Sequence, residues 1–228
     1  VNGKISKLLI KLGMNGNKSL KEKYSKKYAN LDFPKKITQS KFHTNRNQAI
    51  VKYLSLRGNY LEIGAGNGSI IFTVEQSFEK LIGIELSKPR ANSMKQFFKG
   101  NHKIQILYAN IESDKLSIID SSIDVIIMGD VIEHLVDPIA VLRTLYKYLK
   151  KDGSIIITTP NIAKWTRRIK LLFGYFPSTA SSNEGLTTYD GRPTDLYDEG
   201  HLHYFTFRSL SKVLEDQVGF SKVKRGYF

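Results

Sequence analysis

Three glycines at alternate positions, Gly64, Gly66 and Gly68, follow the apolar run at 60–63 without a break. A strand that turns this tightly into a helix needs positive φ angles and a backbone that can lie against a ligand. Glycine allows both at least steric cost. A G-x-G turn alone is shared with dinucleotide-binding proteins. Here the spacing is GxGxG, with Ala65 after the first glycine, and Glu62 stands two residues before it. A carboxylate there competes with a pyrophosphate for the helix N-terminus but suits the ammonium of a methionine group. Glu85, followed by Leu86, lies 17 residues beyond Gly68. A carboxylate at the end of the second strand can accept both hydroxyls of a ribose. Asn110 and Ile111 close the third apolar segment, where adenine should lie. The Asn110 side-chain oxygen is placed to accept from the adenine amino group, and the Ile111 amide to donate to the ring.

A second concentration of chemistry is GDVIEHL at 129–135. Gly129 and Asp130 are assigned to the ligand side of the fourth strand's end, with Glu133 and His134 one turn further on. His134 is the candidate general base, because an imidazole with an ordinary pKa of about 6.5 takes and returns protons near neutrality. The alternative is structural: the Glu-His pair caps the following helix and bonds backbone. His201 and His203 in GHLHYFT supply further imidazoles, with Tyr204 beside them.

The elements that must position these residues alternate. Apolar strands are expected at 60–63, 81–85, 104–108, 123–128 and 154–159, with helices from about 69, at 90–99 and at 139–149. Short apolar strands separated by amphipathic helices imply parallel pairing with right-handed crossovers. The expected fold is therefore α/β, a doubly wound, mostly parallel Rossmann-like sheet with helices on both faces. A helix at 44–56 precedes this core, and basic helical turns are expected at 5–12 and 20–29. Beyond it come an amphipathic helix at 164–176, a polar loop at 177–200, a helix at 207–217 and a sixth strand at 220–227. The long polar loop has the length of a lid or substrate loop. The division expected is a basic N-terminal arm at 1–43 and a ligand-binding domain at 44–228, with a substrate-side insertion at about 161–205.

The chain has 228 residues, no cysteine, and a net charge of +14, of which +11 falls in residues 1–52. Thiolate and disulfide chemistry are excluded, in keeping with a cytoplasmic protein. No apolar run reaches the length of a membrane span, and no secretory cleavage site follows the basic N-terminus. The lysine-rich arm suits phosphates or an anionic membrane surface, or is simply a solvated face.

EIGAGNG, GIEL, ANIE, DVIIMGDVIEHLVDP and LKKDGSIIITTPN occur in the order of the motifs of class I S-adenosylmethionine-dependent methyltransferases. The chain resembles that family over residues 45–225. The resemblance implies S-adenosylmethionine as methyl donor, S-adenosylhomocysteine as product, and Glu62, Gly64, Ala65, Gly66, Gly68, Glu85, Leu86, Asn110, Ile111, Gly129 and Asp130 as cofactor residues. His134, Glu133 and His203 are the catalytic candidates. Two departures stand out. Asn110 occupies a position where the family usually has Asp, and the last antiparallel strand is expected to be missing or cut off. The Asp130-x-x-Glu133-His134 spacing with His201 is also similar to the ExxEH metal sites of ubiquinone-biosynthesis O-methyltransferases and small-RNA 2′-O-methyltransferases. A divalent metal there is the alternative to a metal-free site. O-methylation of a small or lipid-linked acceptor, such as a sugar or quinol, is the first reading. RNA methylation through the basic arm and a non-catalytic cofactor-binding module are the alternatives. Trp165, Ile169, Leu172 and Phe173, flanked by Lys164, Arg167, Arg168 and Lys170, are expected to cover the acceptor pocket or to touch a membrane.

Overall fold

The structure is a computed structural model that describes residues 32–42, 44–179 and 200–226, with Glu22 and Ser25. The basic turn expected at 5–12, that at 20–29 apart from Glu22 and Ser25, and most of the 177–200 loop lie outside the described residues. In chain order the elements are α1 (Arg46–Tyr53), β1 (Asn59–Ile63), α2 (Ser69–Val74), β2 (Lys80–Glu85), α3 (Lys88–Phe97), β3 (Ile104–Tyr108) and β4 (Ile123–Gly129). They continue with α4 (Pro138–Tyr148), β5 (Leu149–Thr158), α5 (Trp165–Leu172) and α6 (Phe207–Lys212). The strands form a five-stranded sheet in the order β3-β2-β1-β4-β5, flanked by helices, and the expected fold class holds.

Contacts divide the chain into two compact units, residues 1–38 with 56–117 and residues 39–55 with 118–228. In the first unit β1, β2 and β3 pair in parallel, with Ile63 opposite Ile84 and Glu85 opposite Tyr108. Tyr60, Leu61, Ile63, Leu81 and Ile84 are fully buried, as strands covered on both faces require. Each such side chain contributes about 1.5–3 kcal/mol by leaving water. The register brings Ile63 and Ile84 to one sheet end, so the glycine turn and Glu85 leave the sheet side by side.

In the second unit β4 and β5 are parallel, with Ile126 opposite Ile155 and Gly129 opposite Thr158. Helix α4 begins at an Asp137 cap whose carboxylate accepts from the Ala140 amide at 2.9 Å, and Pro138 presets its first turn. It buries Val141, Leu142 and Leu145. Two expectations are corrected. Strand β5 starts at Leu149, not at 154, because Ile123 pairs with Leu149 while Val125 already pairs with Ser154. Residues 150–153 bulge between those pairs, and Lys150 reaches Asp124 at 2.7 Å. The sixth strand expected at 220–227 is absent among the described residues 220–226. Gly219 ends the preceding helical turn at φ 105°, the Phe220 ring packs on Tyr146 at 5.0 Å, and Arg225 lies over Phe207 at 5.6 Å. The segment is folded onto helices and has no strand partner. No antiparallel strand occurs among the described pairings either.

Candidate functional site

In the first unit the turn after β1 is fixed from both sides. The amides of Gly64 and Ala65 donate to the Ile84 carbonyl at 2.9 and 3.0 Å, and the Gly68 amide returns to the Ala65 carbonyl at 2.8 Å. Gly66 and Gly68 have φ of +60° and +80°, in the left-handed region that side chains resist. A Cβ on Gly68 would also meet the Met94 sulfur at 3.0 Å, so that side chain would have to give way.

Glu85 organises the turn. Its Oε2 accepts from the Gly66 amide at 2.8 Å and its Oε1 from the Ser87 amide at 2.7 Å. The carboxyl is buried, and burial raises its pKa against the lowering effect of those amides and of Arg90. Each oxygen retains a second lone pair for a further donor. Glu62 is buried as well, and its Oε2 accepts from the Tyr60 hydroxyl at 2.8 Å. Burial first, and the Glu62 charge second, push the Tyr60 phenol well above its usual range, so it stays a donor. Asn110 is buried, with its side-chain oxygen accepting from the Glu112 amide at 3.0 Å. Its own amide donates to Asp114 at 3.0 Å. Ile111 and Leu86 are half-buried beside these residues. Two buried carboxylates flanking a positive-φ glycine turn fit a ligand that presents an ammonium and a ribose diol. They repel a pyrophosphate.

In the second unit Asp130 follows β4 at φ +51°, a conformation aspartate tolerates better than most residues. Its Oδ2 accepts from Arg46 Nη1 at 2.6 Å and its Oδ1 from the Thr158 hydroxyl at 2.8 Å. Arg46 also reaches the Gly129 carbonyl at 3.4 Å. Both carboxylate oxygens of Asp130 are thus used by helix α1 and strand β5.

Glu133 is only 1% exposed, and neither of its carboxylate oxygens has a hydrogen-bond partner. The Thr159 hydroxyl that influences it is unpaired as well, so no well-formed bond joins the two. Burial pushes the carboxyl up to about 7, opposed first by its own backbone amide and more weakly by Thr159 and His201, and reinforced by the Asp130 charge. Glu133, His134 and His201 each offer a ligand atom within 4.8 Å of the others. The His134 and His201 rings lie 4.7 Å apart, edge to face. His134 Nδ1 is 3.2 Å from the Gly200 carbonyl, which can only accept, so that nitrogen carries the proton and Nε2 holds the lone pair. His201 Nδ1 lies 2.6 Å from the Thr179 hydroxyl. The amides of Leu202 and His203 donate to the Glu133 carbonyl at 2.7 and 3.1 Å, which docks the GHLHYF segment on this turn. The His203 ring faces Phe205 at 6.2 Å and is outside the cluster.

Helix α5 buries two of its basic residues and leaves its apolar ones at the surface. Arg167 and Lys170 are buried, whereas Trp165, Leu171, Leu172 and Phe173 are exposed, as are Phe176, Leu202 and Tyr204 further on. Arg167 spends its charge on three carbonyls, so it cannot serve as an outward basic flank.

Residues 37–224 match the model of a methyltransferase domain. The chain belongs to the class I S-adenosylmethionine-dependent methyltransferase family. The methyltransferase is 29% identical over 117 residues to a tRNA U34 carboxymethyltransferase of Sulfurimonas denitrificans, covering 48% of this chain and 39% of that protein. It is 28% identical over 101 residues to a ubiquinone biosynthesis O-methyltransferase of Cereibacter sphaeroides, covering 44% of this chain and 40% of that protein. The chain thus spans less than half the length of these curated relatives. Its fold is similar to that of the YcgJ protein of Bacillus subtilis, with a TM-score of 0.52 at 18% identity over 74% of this chain and 64% of that one. No helix among the described residues is long and apolar enough to cross a membrane.

The structure brings Glu133, His134 and His201 of the methyltransferase together, and gives Asp130 to Arg46 and Thr158 instead. Sequence reasoning missed Arg46, Thr158 and Thr179. Arg46 and Asp130 are 84 positions apart, and nothing local couples them. Thr179 stands near the start of the polar run at 177–200, without any distinguishing spacing.

Proposed function

We propose that the chain transfers a methyl group from S-adenosylmethionine to a hydroxyl oxygen of a small or lipid-linked acceptor. The observation that carries this reading is the buried Glu133 carboxylate, without a hydrogen-bond partner, close to two imidazoles. An orphaned buried acceptor costs about 1–3 kcal/mol, and more when charged, unless a ligand satisfies it. A hydroxyl that must lose its proton during transfer is such a ligand.

Bound S-adenosylmethionine supplies an electrophilic methyl group on a sulfonium. Glu62 holds its ammonium, Glu85 accepts from the ribose hydroxyls, and Asn110 and Ile111 take the adenine edge. Leu86 packs against the nucleoside, and the Gly64–Ala65–Gly66–Gly68 turn lets the backbone approach it. Gly129 and Asp130 contribute through the shape of the turn after β4. Holding donor and acceptor in line is the larger part of catalysis for such a displacement.

His134 Nε2, with its lone pair set by the Gly200 contact, takes the acceptor proton, and Glu133 stabilises the imidazolium. Glu133, His134 and His201 also fit a divalent ion, since the Nδ1 of a ligating histidine is commonly tied to a carbonyl or hydroxyl, as both are here. Such an ion would lower the pKa of the acceptor hydroxyl. In either case these side chains can take the proton that a hydroxyl loses on transfer, which supports an oxygen acceptor. The exposed Phe176, Leu202 and Tyr204 suit an acceptor with an apolar portion.

The tRNA-modifying relatives and the basic N-terminal region keep RNA as the second reading. The assay that separates them measures S-adenosylhomocysteine release with a short-tailed quinol, a polyprenyl-linked sugar and bulk tRNA as acceptors. Release with a hydroxyl-bearing small acceptor supports the proposal. Release with tRNA alone replaces it.

A further inference from the structure

We infer that Thr179 is a positioning residue that sets the ring of His201, with Arg167 anchoring the main chain that carries it. The inference rests on the reading of Glu133, His134 and His201 as the acceptor-side cluster, and it assigns a task to residues that reading does not use.

The chain of contacts is continuous and buried. Arg167 is 3% exposed, deep in a helix whose apolar side chains face outward. A buried guanidinium is costly unless its donors are matched. Arg167 matches them with main-chain carbonyls: Nη1 to Asn161 at 2.8 Å, Nε to Ser178 at 2.9 Å and Nη2 to Thr179 at 3.4 Å. Asn161 lies just past the end of β5, so the guanidinium ties residues 178–179 to the strand that also holds Asp130. A guanidinium is a planar fork, and lysine cannot reproduce three divergent bonds. Ser178 and Thr179 are buried in consequence.

Thr179 then extends a hydroxyl 2.6 Å from His201 Nδ1. That bond removes rotation about the ring's terminal torsion, which is otherwise broad and two-fold. A hydroxyl can donate to that nitrogen or accept from it, so the bond favours one tautomer only as far as the hydroxyl's own orientation is set. Without it, the His201 ring could flip and change which nitrogen it offers to the group it forms with Glu133 and His134. Hydrogen-bond partners of this kind typically change activity or ligand affinity about 10- to 100-fold when removed.

The test compares Thr179→Val, which keeps shape and deletes the hydroxyl, with Thr179→Ser, which keeps the hydroxyl. Nitrogen-15 NMR of the imidazole rings reads the tautomer of His201, and steady-state kinetics reads transfer to whichever hydroxyl acceptor the wild type uses. Thr179→Val is expected to turn a single tautomer into a mixture and to lower kcat at least tenfold, with the KM for S-adenosylmethionine unchanged. Thr179→Ser is expected to restore the single tautomer and most of kcat. Should T179V fail to fold, T179A against T179S carries the same comparison. A wild-type nitrogen spectrum in the hydroxyl-less variant overturns the inference. If the wild type transfers no methyl group to any hydroxyl acceptor, the functional proposal fails, and the NMR comparison still decides the role of Thr179.

Discussion

The Gly66 amide donates a 2.8 Å hydrogen bond to Glu85, so the carboxylate proposed to accept from the ribose also shapes the glycine turn. Removing the charge should damage the turn and the ligand contact together. Hydrogen bonds to a charged group are worth about 1.5–3 kcal/mol, which is roughly a 10- to 100-fold loss of affinity. Glu85→Gln is expected to weaken S-adenosylhomocysteine binding by that factor in calorimetry. Unchanged affinity would remove Glu85 from the cofactor site.

Gly68→Ala places a Cβ at φ +80° and within 3.0 Å of the Met94 sulfur. The left-handed conformation alone costs a non-glycine residue about 1–2 kcal/mol. A fall of several degrees in Tm is expected, with cofactor affinity reduced as well. A variant melting with the wild type would show that the turn does not need its positive φ.

Glu133 makes stability and activity depend on pH in opposite ways. Its folded-state pKa of about 7 lies above the ordinary 4.5, so the folded chain binds this proton more tightly than the unfolded one. Its contribution is most favourable below the unfolded value and is lost as pH rises through about 7. The loss is on the order of 3 kcal/mol at pH 8, from the shift alone. Glu133→Gln should therefore melt higher than the wild type at pH 8 and about level with it at pH 5. The same substitution should abolish transfer, and the wild-type rate should fall as pH drops below about 7. Thermal melts of the variant that track the wild type at both pH values would contradict the assignment.

Leu172 and Phe173 are 80% and 70% exposed, so replacing each with Ser should change stability by less than about 0.5 kcal/mol. If this face receives the apolar part of the acceptor, the pair should raise KM for a long-tailed quinol and leave a tail-less one unaffected. Equal KM values for both acceptors would exclude that role.

How far the sequence reading reached follows from where the forces act. Fully buried parallel strands appear as short apolar runs, so β3 was placed at its observed limits and β1, β2 and β4 within one residue. The glycine spacing with Glu62 and Glu85 is local to two adjacent strand ends, and it identified the turn that Glu85 braces. Distant pairs left no such trace. Arg46 with Asp130, and Arg167 with the carbonyls of 161, 178 and 179, are made only once the chain has folded. The orientation of α5 shows the same limit: its amphipathic pattern is clear, but the matched donors of Arg167 turn the basic side inward. The alternation at 220–226 looked like a strand because periodicity cannot reveal whether a partner edge is present.

The central claim is that the first unit binds the sulfonium cofactor through Glu62, Glu85 and the glycine turn. Titration of the full chain with S-adenosylmethionine in a calorimeter tests it most directly. A saturable single-site isotherm with a dissociation constant below about 1 mM, weakened in Glu85→Gln, is the predicted result. No heat of binding across that range with the folded wild-type chain would contradict it.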